Sequence, residues 1–221
     1  MKMTAPKKNC LIVLSSAIEG VSAQSFIQAF NLAKTVFNVQ LTSPMAKAVE
    51  YVQADDNTRR WLADFRTKSF SQPISLESID PSRYAALLIP NCPGAVSDLA
   101  QHKDLAQIIH RFVQEKKPIC TIGLGVGALA CAVDKDDTWI FKKYSMTAMS
   151  VYEVARSPIF GSMAIIPEDF IKDYGATYSS SEPGEVHIVV DRNLITGQND
   201  QSTLIAVQNL ILLSGQNRSE K

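Results

Sequence analysis

Apolar side chains recur along this chain in two alternating rhythms. Unbroken apolar runs at residues 10–14, 84–90 and 118–122 have the composition of strands covered on both faces of a sheet. A shorter strand is expected at 39–42, closed by Ser43 and Pro44. Between these runs the spacing turns helical. Residues 23–37 bring Phe26, Ala29, Phe30, Ala33 and Phe37 onto one face, and residues 95–116 do the same with Leu105, Ile108, Ile109, Phe112 and Val113. Asp55, Asp56 and Asn57 suit a helix start, where side-chain oxygens accept free backbone amides, and the helix that follows buries Trp61, Leu62 and Phe65. Strand followed by helix, repeated, predicts an α/β fold: a flavodoxin-like doubly wound sheet, mostly parallel, with helices on both faces.

The second half continues the pattern less regularly. Residues 126–133 read as a helix of small residues, 134–137 as a charged turn and 139–146 as a strand. Pro167 opens a short helix with Glu168 and Asp169 in its first turn, and Gly175 ends it. Residues 186–196 predict a carboxyl-terminal β-hairpin turning at Arg192 and Asn193. A last helix is expected at 200–214, packed through Leu204, Ala206, Val207, Leu210 and Ile211 and stopped by Gly215. The expected organisation is a disordered tail at 1–8, one domain at 9–215 and a frayed tail at 216–221.

Composition narrows the picture only a little. The 221 residues carry 22 basic and 22 acidic side chains, so no global charge draws the chain to nucleic acid or an anionic membrane. The amino terminus imitates a secretory signal, but its apolar core of five residues is below the ~7–15 such a signal needs, and no run reaches the ~20 apolar residues of a membrane span. Cys10, Cys92, Cys120 and Cys131 show no C-x-x-C spacing and no histidine in register with them, so neither a metal site nor a disulfide framework is expected.

The chemistry, if any, centres on residues 117–131, KPICTIGLGVGALAC. A strand, a glycine turn and a helix at the carboxyl edge of a parallel sheet is where an α/β enzyme exposes a nucleophile. At the tip stands Gly123, which has no side chain to attack with. The glycines do not make a dinucleotide fingerprint either, since G-L-G-V-G lacks the G-x-G-x-x-G spacing, and no cofactor is expected.

These segments, with RYAALLIPNCPGAVSDLAQHKDL and HIVVDRNLITGQNDQST, resemble the ThiJ/PfpI branch of the class I glutamine amidotransferase-like superfamily over residues 9–215. Enzymes of that family carry C-H-G at the elbow. Aligned on Gly125, this chain has Gly123 in place of the cysteine and Leu124 in place of the histidine. The upstream loop, G-G-H-G in several members, is Asn91, Cys92, Pro93 and Gly94 here, and the glutamate that leans on the family's thiol falls at Ser22, with Glu19 the nearby carboxylate. The resemblance thus implies a vestigial site at Glu19, Asn91, Cys92, Gly94, Gly123 and Leu124, with backbone amides at Gly123 and Gly94 left as an anion-binding hollow.

The resemblance also extends to a member that is a subunit of the FERRY early-endosomal Rab effector complex. It implies a cytoplasmic, early-endosome-associated pseudoenzyme that meets the other FERRY subunits, touches RNA only through them, inserts into no membrane and forms a homo-oligomer. The charged excursions at 47–68 and 134–143 are candidate contact surfaces. The alternative is a diverged hydrolase or glyoxalase-like enzyme with Cys92 as a displaced nucleophile, although His102, His110 and His187 read as surface or packing residues rather than its base.

Overall fold

The computed structural model describes residues 6–216. Among them, seven strands form one sheet, entirely parallel except at one edge. Within it the first strand, Asn9–Val13, lies between Asn38–Ser43 on one side and the central strand Ala86–Ile89 on the other. The elbow strand Ile119–Ile122 follows Ala86–Ile89, then Leu194–Gly197, and the antiparallel Ile188–Asp191 closes that edge. The opposite edge is a two-residue strand, Ile74–Ser75.

This order explains where a site must lie. The chain leaves the first strand in one direction and later returns to build the sheet in the other. The loops after Asn9–Val13 and Ala86–Ile89 therefore diverge over a topological switch point. Right-handed crossovers put the intervening helices on opposite faces. Ala23–Val36 lies on one face beside the last helix, Thr203–Gln216, and Lys103–Gln114 packs on the other. Phe26 and Phe30 bury a cluster with Phe65, against which Trp61 stacks at 5.0 Å.

Several local expectations are corrected. The helix at 95–116 is two helices, Ala95–Asp98 and Lys103–Gln114, because Leu99 and Ala100 turn into the core and His102 is extended. The run at 139–146 is an irregular loop with strand only at Ser145–Met146: Phe141 packs edge to face with both Trp139 and Tyr144, and Trp139 with Phe170, instead of lying in the sheet. The last helix begins at Thr203, after a 3₁₀ turn at Asp200–Ser202, and runs through Gly215 to Gln216. Pro6, Lys7 and Lys8, assigned by sequence to a disordered tail, are placed, with the Lys7 and Lys8 ammonium groups on the Lys34 and Ser214 carbonyls; the remainder of both expected tails, 1–5 and 217–221, lies outside the described residues.

The elbow segment Gly123–Cys131 is 3₁₀ throughout rather than α-helical. It is almost wholly buried, and its glycines let it press on its neighbours: a methyl at Gly125 would collide with the Pro90 carbonyl, backbone that cannot swing aside. Gly125→Ala is therefore expected to lower unfolding stability by about 1–3 kcal/mol or more, whereas Gly161→Ala, where nothing lies within 4 Å, is expected to be near neutral. Urea denaturation of the two variants checks the contrast.

Candidate functional site

The elbow has the backbone of a nucleophile elbow. Gly123 follows the extended Ile122 with φ of 57°, in the left-handed region that glycine enters without strain. The space a side chain would take there is already filled. A Cβ on Gly123 would stand 2.5 Å from Asn91 Oδ1 and 2.6 Å from its Cγ.

Asn91 is held in that position by every polar group it owns. Its Oδ1 accepts from the Leu124 amide at 2.9 Å, and its Nδ2 donates to Asp200 Oδ1 at 2.9 Å. Its own amide donates to Ser25 Oγ at 3.0 Å, and its carbonyl accepts from the Ser22 amide at 2.8 Å. Ser25 Oγ in turn meets Thr203 Oγ1 at 2.9 Å. The amide just past the elbow tip, where an acyl-transfer enzyme would look for an oxyanion donor, is thus consumed inside the protein. The Gly94 amide is likewise committed, to the Gly20 carbonyl at 3.0 Å. Of the two amides to which the sequence assigned an anion-binding hollow, Gly123 and Gly94, the one at Gly94 is thus taken up inside the protein.

Beside the closed elbow lies a cavity of about 380 Å³. Of the residues singled out by sequence, Asn91 and Leu124 line it. Gly123 sits beneath Asn91, and Gly94 packs against Ser15 and Ala17. Glu19 does not reach the cavity and accepts from Ser97 Oγ at 3.1 Å. Cys92 is fully buried in the core, where desolvation pushes its thiol well above the ordinary value, so at neutral pH it is a thiol and not a thiolate. Cys10, Cys120 and Cys131 are buried and shifted in the same direction. The histidines are elsewhere: His102 meets Glu77, His110 meets the Val133 carbonyl, and His187 lies between Ser179 and Ser181.

The acidic residues of the cavity are Asp200 and Glu153, which sequence reasoning missed. Burial drives the Asp200 carboxyl above its ordinary pKa despite hydrogen bonds from Asn91 and Ser22, and the Glu153 charge adds to the rise. Glu153 goes the other way. Burial opposes its charge, but Asn199, Gly184, Gln198 and Ser150 together donate five hydrogen bonds to it and hold its pKa below the ordinary value. A signal was present: Asp200 follows a strand that pairs in parallel with the elbow strand, so its loop emerges on the same edge. Reading that strand only as half of a hairpin hid the relation.

Relatives in the sequence confirm the lineage this geometry suggests. A Xenopus laevis protein described as glutamine amidotransferase-like class 1 domain-containing protein 1 is 55% identical over 207 residues, covering 94% of this chain and 90% of the relative. The Homo sapiens protein of the same description is 52% identical over 206 residues, covering 93% and 94%. The chain belongs to the glutamine amidotransferase-like class 1 domain-containing protein 1 family. No protein-family model matches it. Solved structures show the fold of this family member to be that of ThiJ/PfpI/DJ-1 proteins. Francisella tularensis Rapid Encystment Protein 24 KDa superposes with a TM-score of 0.83 at 20% identity, covering 94% of this chain and 99% of that one. Candida albicans glyoxalase III gives 0.80 at 18% identity, covering 93% and 97%.

Two outcomes are expected from this arrangement. Gly123→Cys forces Asn91 out of place, and Asn91→Ala leaves the Leu124 amide and Asp200 without their partner, each at a cost of about 1–3 kcal/mol. The double variant is expected to lose less than the sum, and a double-mutant cycle in urea reads the coupling. For Asp200 the folded chain holds the proton more tightly than the unfolded chain. Its contribution to stability is therefore present at low pH and lost as pH rises from the unfolded value, ~3.9, through the raised folded value. Asp200→Asn keeps a neutral group there. It is expected to be more stable than wild type at neutral pH, with the margin shrinking as pH falls through the raised folded value and gone by pH ~3.9.

Proposed function

We propose that this chain is a catalytically silent member of the fold that works as a structural subunit of a protein assembly. The observation that carries the reading is Asn91. Its carboxamide fills the slot of the missing nucleophile and caps the amide at Leu124. Covalent catalysis needs an activated nucleophile and a donor for the developing oxyanion, and one buried side chain stands in the way of both. The buried, protonated Cys92 does not replace them.

The assembly we infer is the FERRY early-endosomal Rab effector complex, which links mRNA and ribosomes to early endosomes. Support comes from the family resemblance and from the balanced formal charge, which fits a protein that meets RNA through other subunits. The same reading makes the protein cytoplasmic and endosome-associated through its partners. Among the described residues, no helix is long and apolar enough to cross a membrane.

Purified wild-type protein is expected to show no turnover on amide, ester or dicarbonyl substrates. Turnover abolished by Cys92→Ser with the fold intact would restore the enzyme reading. Affinity purification of the endogenous protein at mild salt, with the mass of the eluted assembly determined, is expected to recover the other FERRY subunits in fixed stoichiometry. Recovery of the chain alone would remove that assignment.

A further inference from the structure

A second cavity lies at the other end of the sheet. Pro118 and Asn193 stand immediately before the parallel strands Ile119–Ile122 and Leu194–Gly197, so the cavity they line, of about 440 Å³, sits at the amino edge, opposite the elbow. Small-molecule sites span ~300–1,000 Å³, and this volume falls among them. Its walls are largely apolar: Val113 from the end of Lys103–Gln114, Leu213 from the end of the last helix, Pro118 and Tyr144. The two charged residues that line it are both cations, Lys116 and Arg192, and among the described residues no carboxylate does so. The elbow cavity is the reverse, with Glu153 and Asp200 against Arg156.

Arg192 is fixed in place before anything arrives. Its guanidinium carbon lies 3.8 Å from the centre of the Tyr144 ring, its Nη2 donates to the Lys143 carbonyl at 3.0 Å, and its Nε stands 3.4 Å from Asp191 Oδ1. Asp191 offsets part of that charge, but it also accepts from the Ser145 amide at 2.8 Å and does not line the cavity. The Arg192 Nη1 makes no hydrogen bond among the described residues. A planar fork held this way loses little freedom on meeting an anion. The backbone points the same way. Among the described residues, seven other than glycine have left-handed φ, and three of them, Lys116 at 52°, Lys143 at 69° and Arg192 at 56°, gather around this one cavity. A turn that merely had to close favours glycine or asparagine there. Here the chain places cations instead, and residues held in such conformations cluster at ligand clamps.

We propose that this cavity binds a small amphipathic anion, its apolar body against Val113, Pro118, Leu213 and Tyr144 and its carboxylate or phosphate head at Arg192 and Lys116. Apolar walls alone accept any oily molecule, and cations alone accept any anion; together they select the molecule that has both parts. The head gains charge-assisted hydrogen bonds from the guanidinium, and the body leaves water. This cavity shares no lining residue with the one at the elbow, so the proposal goes beyond the subunit reading and does not rest on it.

Decanoate, kept below its micellar concentration, is the probe, titrated into the full chain by isothermal calorimetry. Saturable binding of one decanoate per chain is expected, with decanol weaker by about tenfold or more because its neutral head forfeits the charged hydrogen bonds. Decyltrimethylammonium, of the wrong sign, is expected not to bind. Arg192→Gln, at an exposed turn, is expected to weaken decanoate by about tenfold or more while leaving decanol unchanged. Leu213→Trp fills the cavity and is expected to remove both. Arg60→Gln, on an exposed position of Asp56–Arg66 that does not line the cavity, is expected to change nothing. Decanoate is expected to shift the amide resonances of Tyr144, Asn193 and Leu213 and to leave those of Gly184 and Asn199 at the elbow in place. Absence of saturable decanoate binding overturns the proposal. So does equal binding of decanol or the ammonium, an affinity that survives Arg192→Gln, or shifts confined to the elbow. Binding to vesicles that contain phosphatidic acid without binding of free decanoate overturns it too, and assigns the cations to a membrane surface.

Discussion

The organisation of this protein hangs on one buried carboxamide. Asn91 stands at the switch point, and its four polar groups tie down three pieces of the chain: Ser22 and Ser25 at the start of one helix, Leu124 past the elbow and Asp200 before the last helix. A polar group in a low-dielectric interior is either fully satisfied or expensive. Here it is fully satisfied, so the loops that meet at the carboxyl edge of the sheet hold one arrangement. Ser25 extends the network to Thr203, which joins the two helices on that face.

Two independent constraints then make residue 123 a glycine. The left-handed backbone excludes β-branched and bulky residues at little cost to glycine, and Asn91 excludes any Cβ. In an enzyme, a non-glycine residue held at such an elbow stores strain as part of its mechanism. With glycine at the tip that strain is gone, and the segment becomes one of the best-buried parts of the molecule. The elbow backbone is thereby part of the packed core.

How much of this was legible in the sequence depends on the range of the interaction. Local rules found the first strand, the helix Ala23–Val36 with its aromatic face, the Asp55 cap, the short helix opened by Pro167 and the hairpin turn at Arg192, because each is set by residues close together in the chain. The elbow was found from its strand and glycines. What failed was long-range. The aromatic run from Trp139 looked like a strand because β propensity describes a half-buried surface rather than a sheet position, and here that surface is an irregular loop packed on Phe170. Asn91 was placed at the site, but its partnership with Leu124 spans 33 residues and that with Asp200 spans 109, and no periodicity reports either. Glu19 was nominated as the nearest carboxylate in sequence, whereas the cavity draws its carboxylates from Glu153 and Asp200, far along the chain.

Fold and function part company at that point. A doubly wound sheet offers its loops at the carboxyl edge for chemistry, and the same sheet presents its helices outward for assembly. In this chain the first surface is self-satisfied: the amides at Gly94 and Leu124 are bonded internally, and the Glu153 carboxylate is saturated by its own protein's donors. The second surface leaves apolar area exposed at Leu204, Ile205 and Leu212 among the described residues. Internal satisfaction lowers the free energy of a chain on its own, whereas exposed apolar area lowers it only when something else arrives. The buried polar network at the elbow is of the first kind, and the exposed apolar side chains, from Ile18 and Tyr152 to Leu212, are of the second.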